Sequence, residues 1–131
     1  REKKISDLHN RVDRVNSIDN AVLISIHQNS YSDSQYSGAQ VFFAPTAGSQ
    51  AFGEYTQEVL RVSLNPDNTR LAKQIPDTVY LMNHITCRAI LVECGFLSNP
   101  EEDQLLQTSG YQLKLASALA GAYLQYERID S

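Results

Sequence analysis

Two residues in this sequence combine a reactive side chain with an apolar setting. His27 follows the run Ala21-Val22-Leu23-Ile24-Ser25-Ile26, and Glu93 follows Ala89-Ile90-Leu91-Val92. An imidazole can ligate a metal or carry a proton near neutral pH. A carboxylate can act as a general base. His27 alone is ambiguous, because a histidine at a strand end serves either as a satisfied structural residue or as a ligand. Glu93 is harder to place in a core. Burying an unpaired charge is costly, so this acid, with Cys94-Gly95-Phe96 behind it, calls for a cation, a metal or a raised pKa. The other two histidines have blander settings. His9 lies mid-helix and His84 precedes Ile85-Thr86 in a loop, and both read as solvated or structural. Cys87 and Cys94, if they share an extended strand, are separated by about 23 Å, far beyond disulfide reach. Their spacing is not a zinc pattern either, so they read as small buried hydrophobes.

The elements that must position His27 and Glu93 can be followed along the chain. Ile5, Leu8, Val12 and Val15 recur at helical spacing and predict a helix over 2–16. Residues 21–26 and 88–93 are near-continuous apolar runs, expected to be strands buried on both faces, as in a sheet covered by helices. Residues 30–38 read as a loop, and Gln40 to Ala44 as a short aromatic strand closed by Pro45. Ser49 to Leu64 predicts a second helix with Phe52, Tyr55, Val59 and Val62 on one face. Asn65-Pro66-Asp67-Asn68 is a turn, followed by an expected helical piece at 69–74 and a strand or loop edge at 78–82. The second buried strand is expected to break at Gly95. Ser98 or Asn99, with Pro100, Glu101 and Glu102, marks a helix start, because the cap accepts an orphan amide and the acids oppose the helix dipole. Gly110 is expected to separate that helix from a last one over 111–127, striped by Leu115, Leu119, Tyr123 and Tyr126.

Alternating buried strands and helices imply an α/β layer fold around a mainly parallel sheet. In such sheets ligands bind off the carboxyl ends of strands. His27 and Glu93 both occupy that end, so two separate strands deliver an imidazole and a carboxylate to one edge. Composition narrows the partners. A chain of 131 residues suits a single domain, and 42% hydrophobic with 20% charged residues is the balance of a soluble globular protein. A net charge of -4 opposes generic phosphate binding, so nucleic acid is not an expected partner. The same balance argues against a basic membrane-surface helix. No apolar run approaches the roughly 20 residues of a membrane span, and Arg1 to Lys4 leads straight into the amphipathic pattern rather than a signal peptide.

Ser25-Ile26-His27-Gln28-Asn29-Ser30 resembles the Ser-Ile-His-x-Asn motif of the zinc-dependent N-acetylmuramoyl-L-alanine amidases of the amidase-3 type. Leu91-Val92-Glu93-Cys94-Gly95-Phe96-Leu97-Ser98-Asn99 resembles their longer Val-Glu-x-Gly-Phe-Leu-Ser-Asn motif. Gly38-Ala39-Gln40-Val41-Phe42-Phe43 and the Asp7-Leu8-x-x-Arg11 helix ending in Asn16 are similar to further family segments, in the same order. Lys4, Ser6-Asp7-Leu8-x-Asn10-Arg11, Glu93-Cys94-Gly95 and Asn99-Pro100-Glu101-Glu102 look most like the germination-specific, spore-cortex branch.

The resemblance implies an α/β domain over 1–131 with a mainly parallel twisted sheet flanked by helices, of the phosphorylase/hydrolase-like amidase type. It also implies that an N-terminal strand-helix segment is missing. His27 matches a zinc ligand, and the other two ligands, a His in a Gly-His-Gly turn and a helical Glu, are expected upstream of Arg1. Glu93 matches the catalytic glutamate. Asn29 would orient His27 or bind substrate, with a plain turn role the alternative. Arg88 stands where the family often has Pro, with little expected effect on the chemistry. Zinc with three protein ligands and an open position activates water and polarises a carbonyl, which suits cleavage of the amide between N-acetylmuramic acid and L-alanine. The implied partners are peptidoglycan glycan strands and stem peptides, with an accessory protein. The implied location is extracytoplasmic, in the cell wall or the intermembrane space of a developing spore. Two alternatives remain from the residues: a non-catalytic peptidoglycan-binding or regulatory module of the same fold, and an α/β domain with no metal.

Overall fold

The run Arg88-Ala89-Ile90-Leu91-Val92 becomes the middle of the sheet. The computed structural model describes residues 2–29, 38–96 and 100–130. Its elements are α1 (Glu2–Asn16), β1 (Val22–Asn29), β2 (Gln40–Phe43), α2 (Ser49–Leu64), β3 (Lys73–Gln74), α3 (Tyr80–His84), β4 (Arg88–Phe96), α4 (Pro100–Leu106) and α5 (Ser109–Asp130). The strand order is β1-β4-β2-β3. The β1–β4 and β2–β3 pairs are parallel and β2–β4 is antiparallel, so the expected mainly parallel sheet carries one antiparallel junction.

Strand alternation splits β4 between two layers. Ile90, Val92 and Cys94 face one side, where with Val41 they pack against Phe52, Leu60, Leu106, Leu115 and Leu119 from α2, α4 and α5. Full burial of each large aliphatic or aromatic side chain stabilises by about 1.5–3 kcal/mol, so this layer supplies much of the core. Ala89 and Leu91 face the other side and meet Ala44, Ile75, Met82 and Ile85, with Val15 and Val79 at the margin. That layer is covered by α1 and the one-and-a-half turns of α3.

Polar staples fix the starts of β4 and α2. The Ser49 hydroxyl, fully buried, accepts from Ala89 N–H at 2.9 Å, and Thr46 donates to the Cys87 carbonyl at 2.8 Å. Gly53 lets α2 approach the sheet: a Cβ there would stand 3.1 Å from Phe43 Cβ. At the end of α1, the Asn16 carboxamide accepts from Thr86 N–H at 2.9 Å and donates to the His84 carbonyl at 3.2 Å. Arg88 lies over the rings of Phe52 and Tyr126, 5.1 and 5.2 Å from their centroids, and pairs with Glu127. Arg88, not expected to bear on the chemistry, thus clamps α5 and α2 to the sheet.

Several local expectations change. Among the described residues β1 pairs with β4 alone and is not buried on both faces; Ile26 is 57% exposed. Its apolar pattern equals that of β4, but among the described residues β4 is paired on both sides and β1 on one. Residues 69–74 form no helix; Lys73 and Gln74 pair with Phe42 and Phe43 as β3. Residues 80–84 are helical, where 78–82 reads equally as strand or loop edge, because α3 packs Met82 into the second layer. β4 continues through Gly95 to Phe96. On α2 the buried stripe runs through Phe52, Gly53, Thr56, Gln57 and Leu60, while Val62 is exposed. The last helix starts at Ser109, so Gly110 lies in its first turn. Thr108 starts it, its hydroxyl accepting from Tyr111 N–H at 3.3 Å. α4 begins at Pro100 as expected. Its caps Ser98 and Asn99, and most of the 30–38 loop, lie outside the described residues.

Candidate active site

Parallel pairing aligns β1 and β4 residue for residue, from Val22 opposite Arg88 to His27 opposite Glu93. Equal run lengths before His27 and Glu93 thus become spatial alignment, and paired residues of neighbouring strands project to the same face. Both sit short of the strand ends, since β1 continues to Asn29 and β4 to Phe96, with an irregularity in the register just past the pair. Across the antiparallel junction, Gln40 of β2 stands opposite Glu93. A row His27, Glu93, Gln40 therefore crosses three strands on the α1–α3 side of the sheet.

The three members have different surroundings. His27 is exposed, and its Nε2 lies 3.0 Å from the Ser25 hydroxyl, two residues back on the same face. Glu93 is 1% exposed, and its Oε1 accepts from the Gly95 N–H at 3.4 Å. Gln40 is buried and donates from Nε2 to the Leu71 carbonyl at 2.9 Å. Beside the row, His27, Phe42, Leu91, Ile75, Pro76 and Val79 line a largely apolar cleft of about 310 Å³. Cys94 follows Glu93 but points into the opposite layer. Burial first, and the neighbouring Glu93 charge second, push its thiol up to about 11. Burial likewise raises the Cys87 thiol, and both cysteines are free.

The donor chemistry of the row fits part of a metal centre. His27 offers an exposed imidazole with a hydroxyl partner to orient its ring, and a buried carboxylate is aligned beside it. Catalytic zinc takes three protein ligands. Among the described residues no three His, Cys, Asp or Glu side chains gather around one point, so His27 can supply one ligand of such a set. Asn29 closes β1 opposite Phe96, and its side chain lies outside the described residues. His9 and His84 are not brought to the row. They flank Tyr80 on the α1–α3 surface, His84 stacked at 3.9 Å and His9 tilted at 5.2 Å between centroids.

Two residues of this region escape the sequence reading. Gln40 lies inside the Gly38-Ala39-Gln40 motif, but only the strand register shows that it neighbours Glu93. Arg70 follows the Asn65–Asn68 turn with no periodic signal. Its Nη1 donates to Gln40 Oε1 at 2.6 Å.

The sequence profile of the N-acetylmuramoyl-L-alanine amidase family matches residues 1–124. The germination-specific N-acetylmuramoyl-L-alanine amidase of Bacillus subtilis (strain 168) is 39% identical over 125 residues, 95% of this chain and 52% of that protein. Among solved structures, the CwlD amidase of Clostridioides difficile, determined in complex with the GerS lipoprotein, superposes with a TM-score of 0.90 at 32% identity, covering 98% of this chain and 65% of that one. An N-acetylmuramoyl-L-alanine amidase from Clostridium difficile 630 gives 0.80 at 26% identity, covering 95% and 66%. The chain thus spans about half to two-thirds of the length of these relatives. By the profile match over residues 1–124, the chain belongs to the N-acetylmuramoyl-L-alanine amidase family.

Proposed function

We propose that this chain is part of the catalytic domain of a zinc-dependent enzyme that hydrolyses the amide between N-acetylmuramic acid and L-alanine in peptidoglycan, in maturation of the spore cortex. The observation that carries the reading is the register of His27 with Glu93 on one sheet face. His27 would hold zinc, together with two ligands from outside residues 1–131, its ring oriented by Ser25. Zinc, when bound, supplies Lewis-acid activation of water and of the scissile carbonyl.

Glu93 handles the proton. Its carboxylate takes a proton from the attacking water as the water oxygen bonds to the carbonyl carbon. It then delivers that proton to the alanine nitrogen as the C–N bond breaks. The products are a lactyl carboxylate on the glycan and a free amine on the stem peptide. Asn29, at the end of β1, would bind substrate or orient His27. The spore-cortex assignment is supported by the germination-specific relative. The structure of CwlD with a lipoprotein supports an extracytoplasmic site of action and an accessory protein for this chain as well. No described helix is long and apolar enough to cross a membrane.

Zinc content and cleavage of purified peptidoglycan test the proposal in the intact protein. About one zinc per chain, with release of free stem peptides, is the expected result. Glu93→Ala is expected to keep the zinc and lose cleavage; retained cleavage would remove Glu93 from its role. Peptidoglycan binding without zinc or cleavage would replace the enzyme with a non-catalytic binding module.

A further inference from the structure

We propose that Arg70 recognises a carboxylate of the stem peptide and that Gln40 holds Arg70 in place for it; this rests on the amidase reading above. The segment after α2 has no regular structure from Asn65 to Ala72, yet side chains tie it to β2. Asn68 donates from Nδ2 to the Ala39 carbonyl at 2.9 Å, and its Oδ1 accepts from the Arg70 N–H at 3.0 Å. Gly38 makes room for that amide: its φ is +88°, and a Cβ there would lie 2.9 Å from Asn68 Cγ. Gln57, buried on α2, adds two more bonds to β2, accepting from Val41 N–H at 2.8 Å and donating to the Ala39 carbonyl at 3.1 Å. The edge of β2 beyond the end of β3 is thus closed by side-chain amides, which makes the segment a fixed wall.

Gln40 links this wall to the candidate catalytic row. One end of its carboxamide holds the Leu71 carbonyl and the other accepts from Arg70 Nη1 at 2.6 Å. With both ends engaged and the side chain 4% exposed, the carboxamide has one orientation. A neutral amide also orients a guanidinium without contributing a negative charge of its own. Arg70 is half-buried, and the 66–72 segment to which it belongs lines, with α2, a cleft of about 560 Å³. Two acids border that cleft, Glu54 and Glu58. Glu58 is paired with Arg61 one turn along α2, so that pair is close to neutral.

Distance favours a carboxylate near the scissile bond. Gln40 stands opposite Glu93 on the adjacent strand. A strand spacing of about 4.8 Å plus one glutamine side chain puts the guanidinium roughly 10 Å from the β4 backbone. Extended peptide covers that distance in about three residues. The planar guanidinium fork matches a carboxylate in shape and charge. An acidic residue early in the stem peptide, after the L-alanine, is the group that would reach it.

Binding can be read separately from turnover. In the intact protein carrying Glu93→Gln, affinity would be measured for muramoyl-L-alanyl-D-isoglutamate and for the same compound with its carboxylates amidated. The acidic form is expected to bind on the order of tenfold tighter, the size of a charged hydrogen bond partly open to water. Adding Arg70→Gln should remove that preference and leave the amidated form unchanged, and Arg70→Lys should restore part of it. Gln40→Leu should reduce the preference without weakening the amidated form. Equal binding of the two compounds, or equal weakening of both by Arg70→Gln, would overturn the proposal. Absence of cleavage by the parent enzyme would count against the amidase reading alone, since the binding preference does not depend on turnover.

Discussion

On one face of the sheet, Ile90, Val92 and Cys94 disappear beneath α2, α4 and α5. On the other, Ala89 and Leu91 meet the shorter cover of α1 and α3, and the same alternation brings Glu93 into line with an exposed His27. The chain atoms of β4 are shared, and only the parity of the residue differs. The difference teaches that stability and chemistry are separated here by side-chain direction rather than by position along the sequence. One layer packs apolar side chains between the sheet and the helices. The other holds a carboxylate in the interior at the cost of its hydration.

If that division is right, the largest effect should come from the smallest change on the site face. Glu93→Gln removes a proton acceptor without removing volume, and should lower amide cleavage by about 10²–10⁴-fold. Thermal melting should stay level or rise, since a neutral amide is less costly to bury. A clear fall in melting temperature would show that the carboxylate also holds the fold. On the opposite face, Phe52→Ala should cost about 3–5 kcal/mol and Ile90→Ala about 2–5 kcal/mol in urea unfolding. The activity of the molecules that remain folded should not change, and a selective loss would break the separation of the two layers.

Arg88→Met tests the edge of the helical layer. It removes the cation over Phe52 and Tyr126 and the pair with Glu127, while the methionine stem keeps part of the packing. A loss of about 1–2 kcal/mol is expected, and salt should reduce the gap between the two proteins. The weakest effect should be alkaline. The buried Cys94 thiol ionises at about 11 against an ordinary 9.0. Between those values the unfolded chain has released a proton that the folded chain keeps, so stability falls as pH rises through this window. Unfolding measured across the window should show that decline in the parent and a shallower one in Cys94→Ala. Parallel curves would mean that the thiol is not buried as described.

How much of the site could be read in advance depends on how local its signal is. His27 and Glu93 stand out because each ends an apolar run, and a charge in such a place requires a reason. Gln40 carries no such mark. A glutamine beside aromatic strand residues is unremarkable until strand order brings it opposite Glu93. Arg70 sits in an irregular segment whose shape depends on amides from α2 and β2, so nothing local predicts where its guanidinium goes. The short elements fail for the same reason. Two residues of β3 and five of α3 are too few for a period to show, and each takes its form from the strand or layer it packs against.

Helical and strand periods depend on neighbours within a few residues, so the sequence by itself determined α1, α2 and the start of α4, both apolar strands, and the delivery of an imidazole and a carboxylate to one sheet edge. Pairing and burial depend on residues far apart in the chain. Tertiary structure alone therefore decided that β4 pairs with both β1 and β2, that β2 runs against β4, and that Gln40 joins the row beside Glu93 with Arg70 bonded to it. Two runs with the same pattern received different surroundings, because burial belongs to the contact between elements and not to either element alone.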